Sequence, residues 1–326
     1  MLVDIINNQI KSESVALIVV NNQINNDLLA NIDERCQIKL LRRQKGSKSP
    51  IPWIALNMLL WKLHPDIIHF HLEGMRRMVF HPATKVFTIH NTNTSGHEYN
   101  HYQALFAISE AVRRHTQEQG FKATTIYNGI CPDRIAIKCV KAAADFYKFV
   151  CVGRLYTPHK GQDVLVEAAG KLIEKGIKNV HIDFIGDGPS RVELEKLIRN
   201  FGLQEHITLL GSRRREYVYQ HLRDYDLFIL PSRSEGFGLS VAEAMCARIP
   251  VLTSNLDGPM EVIDNGRLGM SFKSGDAADL SRLLCLFIRQ GVNNTLLDEA
   301  RQFAMKNFDI AVSAKKYIDE YRKVIG

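Results

Sequence analysis

Ten short β-rich apolar runs, separated by segments of helical apolar spacing, predict an α/β protein of two doubly wound, Rossmann-like domains. Strands that alternate with helices form parallel sheets covered on both faces, and this many exceed one comfortable doubly wound sheet. The length of 326 residues agrees, because a single hydrophobic core stops growing at roughly 250–300 residues.

Taken in order, residues 1–9 (MLVDIINNQ) read as a helix. Residues 15–20, 67–70, 86–89, 104–108 and 124–127 then read as strands rich in Val, Ile, Phe and Thr. Cys131-Pro132-Asp133 closes this first unit, and 138–148 is a mixed connector. Phe149 opens a fresh series of strands at 149–152, 181–185, 207–210, 227–230 and 251–253. Between them Val164, Leu165, Ala168, Leu172 and Ile173 recur at helical spacing. Residues 312–324 read as an amphipathic helix with Tyr317, Ile318, Tyr321 and Val324 on one face. The expected domains are 1–140 and 147–305, with the C-terminal helix, about 308–326, packing back on the first.

Composition excludes other classes. Apolar residues at 45% and charged residues at 24% are ordinary for a globular chain. No run approaches the roughly 20 apolar residues of a spanning helix. The start lacks the basic region and cleavage site of a signal peptide. The chain is therefore expected to be cytoplasmic. Its six cysteines form no CxxC pair, so they are expected to be reduced structural thiols and not zinc ligands. The net charge of +7 is uneven: through Lys148 there are 18 basic and 12 acidic residues, and beyond it 24 and 23. Such a basic excess invites a polyanionic partner.

The chemistry-bearing segments follow strands of the second half, where an open α/β sheet places its binding crevice. Gly153-Arg154 and Lys160-Gly161 flank a turn, and the two cations could clamp a diphosphate, although such a loop is as often merely solvated. Ile185-Gly186-Asp187-Gly188-Pro189 allows close backbone approach but is not GxGxxG, which speaks against a nicotinamide site. Glu235-Gly236-Phe237-Gly238-Leu239-Ser240-Val241-Ala242-Glu243 puts two acids eight apart around a flexible loop. A helix starting near Leu239 offers free N–H groups to a phosphate, and Glu243, about a turn inside it, could accept from a ribose diol. Either glutamate alone would read as an ordinary surface acid. Asp224-Tyr225-Asp226 reads as a helix-to-strand junction and not as a metal-binding DxD motif.

With EGFGLSVAE at 235–243, VGRL and HKG within 152–161, IGDGP at 185–189 and DGPMEVI at 257–263, the second half resembles the retaining glycosyltransferases of family 4. The resemblance covers about 86–326 well and 1–85 more loosely. It implies the GT-B fold, two Rossmann-like domains facing a cleft, and it implies roles. Arg154 and Lys160 would hold the donor diphosphate, with Gly153, Gly186, Gly236, Phe237, Gly238, Leu239 and Ser240 lining it. Glu243 would bind the ribose, Ser212 and Arg213 would border the base, and Glu235 would sit by the donor sugar. His90, ending a first-domain strand, would reach the donor sugar across the cleft. With the leaving diphosphate held by cations, no metal or other cofactor is expected, and the acceptor's proton passes to that diphosphate in a same-face attack.

The implied activity is retaining transfer of a hexose or N-acetylhexosamine, from a UDP-sugar in preference to GDP-mannose. The acceptor would be a glycan or lipid-linked glycan in surface polysaccharide synthesis. The basic first half would face anionic lipid headgroups at the inner face of the membrane or a diphosphate-linked lipid acceptor. Competing readings are a GT-B nucleotide-sugar epimerase, which lacks the paired glutamates, and a nucleotide-sugar binder with weak or no transfer. A nucleic-acid binder is disfavoured, because no zinc knuckle or basic helix with interleaved aromatics supports it. One departure stands out. The family opens with a strand and a glycine-rich loop, yet in this chain residues 1–9 read as the helix that follows them. The first domain is therefore expected to lack its first, central strand, through a start upstream or a shortened chain in preference to a decayed copy.

Overall fold

The computed structural model describes residues 1–92, 94, 96–139, 145–291 and 293–326. Of the connector expected at 138–148, residues 140–144 lie outside the described residues. The chain divides into one unit of Met1–Gly129 with Asp309–Gly326 and a second of Ile130–Phe308.

The first unit begins with α1 (Leu2–Gln9), β1 (Ala16–Asn21), α2 (Asn26–Leu29), β2 (Gln37–Arg43), α3 (Ile51–Leu63) and β3 (Ile67–Phe70). It continues with β4 (Thr84–Ile89), β5 (Ala104–Ala107), α4 (Glu110–Glu118) and β6 (Thr124–Thr125), and it takes in the C-terminal helix Ile310–Ile325. Ile6 and Ile10 bury themselves with Ile32 and Cys36, fixing α1 over the β1–β2 pair. Ser109 caps α4 by accepting from the Val112 N–H at 3.1 Å, which satisfies one orphan donor of its first turn. Asp309 caps the C-terminal helix in the same way, and that helix buries Tyr317 and Ile318 and packs on α1.

The strands of this unit make two separate parallel sheets, β1–β2 and β3–β4–β5–β6. Among the described residues no strand lies between β1 and β3. A cavity of about 700 Å³ separates them, lined by Leu17 and Val19 from one side, Ile68 and Phe70 from the other, and Leu56 and Leu60 of α3.

The second unit runs β7 (Tyr147–Val152), α5 (Thr157–Lys160), α6 (Gln162–Glu174), β8 (Val180–Ile185), α7 (Arg191–Asn200), β9 (Ile207–Gly211) and α8 (Arg215–His221). It continues through β10 (Leu227–Leu230), α9 (Leu239–Cys246), β11 (Val251–Ser254), α10 (Asp257–Val262), β12 (Met270–Phe272), α11 (Ala277–Gln290) and α12 (Asn294–Phe308). Its six strands are all parallel, in the order β9-β8-β7-β10-β11-β12. Phe149, Phe184, Leu227 and Ile229 are fully buried under α6 and α11, each such side chain contributing about 1.5–3 kcal/mol. The winding reverses between β7 and β10, and a doubly wound sheet opens its crevice at the carboxyl ends of such a pair.

Two strands escape the sequence pattern. The apolar runs give no strand at β2, whose charged QIKLLRR alternates exposed and half-buried positions, or at the three-residue β12.

Candidate functional site

The carboxyl ends of β7 and β10 carry most of the second unit's candidate residues, and those of β8 and β9 the rest. After β7 the chain passes Gly153 and Arg154 and forms the short helix α5 where the sequence suggested a plain turn. Gly161 ends α5 at φ 59°, and a Cβ there would sit 2.0 Å from the Pro231 carbonyl oxygen. Only glycine lets α5 press against the loop after β10. The contact is tied further: the Arg233 and Ser234 N–H groups both donate to the His159 carbonyl, at 2.8 and 3.0 Å. Arg233 also makes a bidentate pair with Asp163, 2.7 Å on each arm. This clamp brings Lys160 to Glu235, with Nζ 2.5 Å from Oε2.

Arg154 stands apart from that pair. It is exposed, its guanidinium lies 6.0 Å from the Tyr156 ring centre, and it has no acidic partner among the described residues. Its backbone carbonyl accepts from the Gln162 side chain at 2.8 Å, which fixes the loop without engaging the charge.

Gly186 follows β8 and lies against the Gly153 carbonyl, where a Cβ would come within 1.9 Å. The Gly186 N–H donates to the Gly211 carbonyl at 2.9 Å, joining the ends of β7, β8 and β9. Ser212 and Arg213 follow β9 and are exposed, Arg213 lying 5.5 Å from the Tyr217 ring centre.

The glutamate loop divides by burial. Gly236 is half-buried, Gly238 is the N-cap of α9, and Leu239 and Ser240 form its half-buried first turn. Glu243 is buried one turn further along. The Phe237 ring is also buried, edge-on to Phe308 at 5.2 Å, so this residue presents its backbone and not its ring to the loop. Asp224-Tyr225-Asp226 lies between α8 and β10, with Asp226 accepting from Lys138 at 2.6 Å and Tyr225 donating to Asp183 at 2.9 Å.

His90 belongs to the first unit and follows β4. Its Nε2 lies 3.2 Å from His71 Nδ1. His69, two residues before His71 on the same face, bridges Thr88 at 2.7 Å and the Tyr321 hydroxyl at 2.6 Å. Burial lowers the basicity of all three imidazoles, and takes His71 down to about 3, helped by the neighbouring His90. Sequence reasoning missed His69 and His71. The available signal was their period-two spacing across the end of β3, beside the strand that His90 follows.

Two family models match the chain. "Glycosyl transferases group 1" covers residues 135–307 and "Glycosyltransferase Family 4" covers residues 15–134. An uncharacterized glycosyltransferase of Methanocaldococcus jannaschii, MJ1178, is 29% identical over 209 residues, covering 62% of this chain and 54% of that protein. The chain thus spans about half the length of this relative. The phosphatidyl-myo-inositol mannosyltransferase of Mycobacterium leprae is 27% identical over 283 residues, covering 79% and 74%. Anabaena Alr3699/HepE, solved in complex with UDP, shares the fold at a TM-score of 0.80 and 17% identity over 99% of this chain and 95% of that one. The architecture is that of the GT-B glycosyltransferases. With its model covering more than half of the sequence, the chain belongs to the group 1 glycosyl transferases.

Proposed function

We propose that the protein is a retaining hexosyltransferase that moves a hexose or N-acetylhexosamine from a UDP-sugar to a glycan or lipid-linked glycan. The observation that carries this reading is the Lys160–Glu235 pair with the acid-free Arg154 nearby in the chain, at the carboxyl ends of β7 and β10. Breaking the anomeric C–O bond leaves negative charge on the diphosphate and positive charge on the sugar ring. Arg154, Lys160 and the N–H groups of Leu239 and Ser240 answer the first charge by electrostatic preorganisation. Glu235 holds Lys160 in place and offers a carboxylate to the sugar. Glu243 takes the ribose hydroxyls. The leaving diphosphate accepts the acceptor's proton, so no side chain of the second unit is assigned as nucleophile. With these cations supplied by the protein, transfer proceeds without a metal.

UDP is preferred because a protein of the same fold was solved with it. The lipid-linked acceptor draws support from the phosphatidyl-myo-inositol mannosyltransferase relative and from the basic first half. No described helix is long and apolar enough to cross a membrane, so contact with such an acceptor would be made from the surface.

A thermal-shift panel of UDP-, GDP- and ADP-sugars, paired with an assay of free nucleoside diphosphate with and without EDTA, tests this. UDP-sugars at 100 times Kd should stabilise by about 2.7 kcal/mol, and EDTA should leave release unchanged. A shift with GDP-sugars alone would overturn the donor assignment. Stabilisation without any release across acceptors would favour a nucleotide-sugar binder.

A further inference from the structure

Helix α3 is apolar except for Asn57 and Lys62, and only one side of it is buried. Leu56 and Leu60 are buried inward. On the opposite side Ile51, Ile54, Met58 and Trp61 are 70%, 57%, 69% and 52% exposed. Their spacing of three, four and three residues makes one continuous outward stripe. A second segment extends it. The Asn57 side chain donates to the Met78 carbonyl at 2.8 Å and accepts from the Phe80 N–H at 2.8 Å, holding that strand of chain beside α3. Phe80 is 76% exposed, and the Trp61 and His81 rings meet at 4.8 Å.

Charge surrounds this apolar stripe. Residues 39–81 contain eight Lys and Arg against two acidic residues, so the charge excess of the first half resides here. Lys45 and Lys48 are exposed on the loop that leads into α3, and Lys62 is exposed on the helix itself. Arg77, just before Met78, is exposed but paired with Glu98 at 3.1 Å. Arg43 stacks 5.2 Å from the Trp53 ring centre and donates to the Ser47 carbonyl at 2.7 Å, tying the basic loop to the start of α3.

We infer that the outer face of α3, with Phe80, is a docking surface for an anionic lipid bilayer. Its apolar side chains would enter the interface while the surrounding cations meet the headgroups. Trp and Phe suit that boundary. The excess of cations over acids in residues 39–81, eight to two, favours an anionic bilayer over a protein surface of mixed charge. The inference deepens the lipid-linked acceptor reading by naming the face that meets the membrane.

Cosedimentation with phosphatidylcholine vesicles, with and without phosphatidylglycerol, tests it, using the whole chain at low and high salt. The wild type should bind the anionic vesicles and bind less at high salt. Ile54→Ser with Met58→Ser should weaken binding about tenfold or more. Lys45→Glu with Lys48→Glu should weaken it and flatten the salt dependence. Val192→Ser, which removes an apolar side chain 73% exposed in the second unit, should change nothing. Circular dichroism melts would check folding, and UDP-induced thermal shifts in the same samples report the donor reading separately. The inference is overturned if the wild type ignores anionic vesicles or if the serine pair binds like wild type. It is equally overturned if sedimentation velocity shows a dimer that the serine pair dissolves, which would give the stripe to a second copy.

Discussion

Lys160 and Arg154 sit six residues apart yet differ in what they hold. Lys160 is paired with Glu235, whereas Arg154 has no acidic partner among the described residues and is, in the proposed function, the cation that meets the diphosphate. Arg154→Ala should therefore lower kcat/KM for transfer about 100-fold, the cost typical of removing one preorganised electrostatic group. Glu235→Gln should lower it as well, because it releases Lys160 and removes the carboxylate offered to the sugar. Steady-state release of nucleoside diphosphate measures both, and full rates in either variant would contradict these roles. His71 supports a different prediction. Its imidazole is held at about 3 against an ordinary 6.5, so the unfolded chain takes up its proton first as pH falls. Stability should then decline with falling pH between about 6.5 and 3, at up to about 1.4 kcal/mol per pH unit from this group. Urea midpoints at pH 7 and pH 5 should show the loss, and His71→Asn should reduce it. The candidate residues after the second unit's strands could be picked out because local spacing displays them: strand, glycine turn, cation or acid. The His69–His71–His90 arrangement was hidden because it depends on the pairing of β3 with β4, which no local pattern states.

Among the elements, the loops after β7 and β8 touch through their backbones. Gly186→Ala would push a methyl into the Gly153 carbonyl, and overpacking of this kind costs about 1–3 kcal/mol. Urea unfolding should show that loss together with weaker nucleotide binding, because Arg154 leaves from the same loop. Unchanged stability would mean that the two loops are not in contact. Most strands of both units could be read from apolar runs, and α1 and the C-terminal helix from their amphipathic spacing. The charged β2 could not, since its side chains face solvent or half-buried positions, and β12 is too short to display a period. The division of the first unit's strands into two sheets depends on long-range pairing and is not stated by any local pattern.

At the scale of the whole molecule, the net charge of +7 resolves into two different devices. The second unit is nearly neutral, and the proposed function there rests on a few placed groups at the reversal between β7 and β10. The first carries its excess around an apolar helix face. Strand-helix alternation displayed the two-unit α/β architecture, and family-like motifs marked the second unit's candidate residues. The exposed stripe of α3 stayed invisible, because a helix with apolar residues on every side reads as core until its burial is known.

Donor-nucleotide binding by the second unit, at the carboxyl ends of β7 and β10, is tested most directly by backbone hydrogen exchange with and without UDP. Slower exchange concentrated at residues 153–161, 186–188 and 235–243 is the result expected. Protection confined to the first unit, or no protection of these loops at saturating UDP, would contradict that placement of the donor.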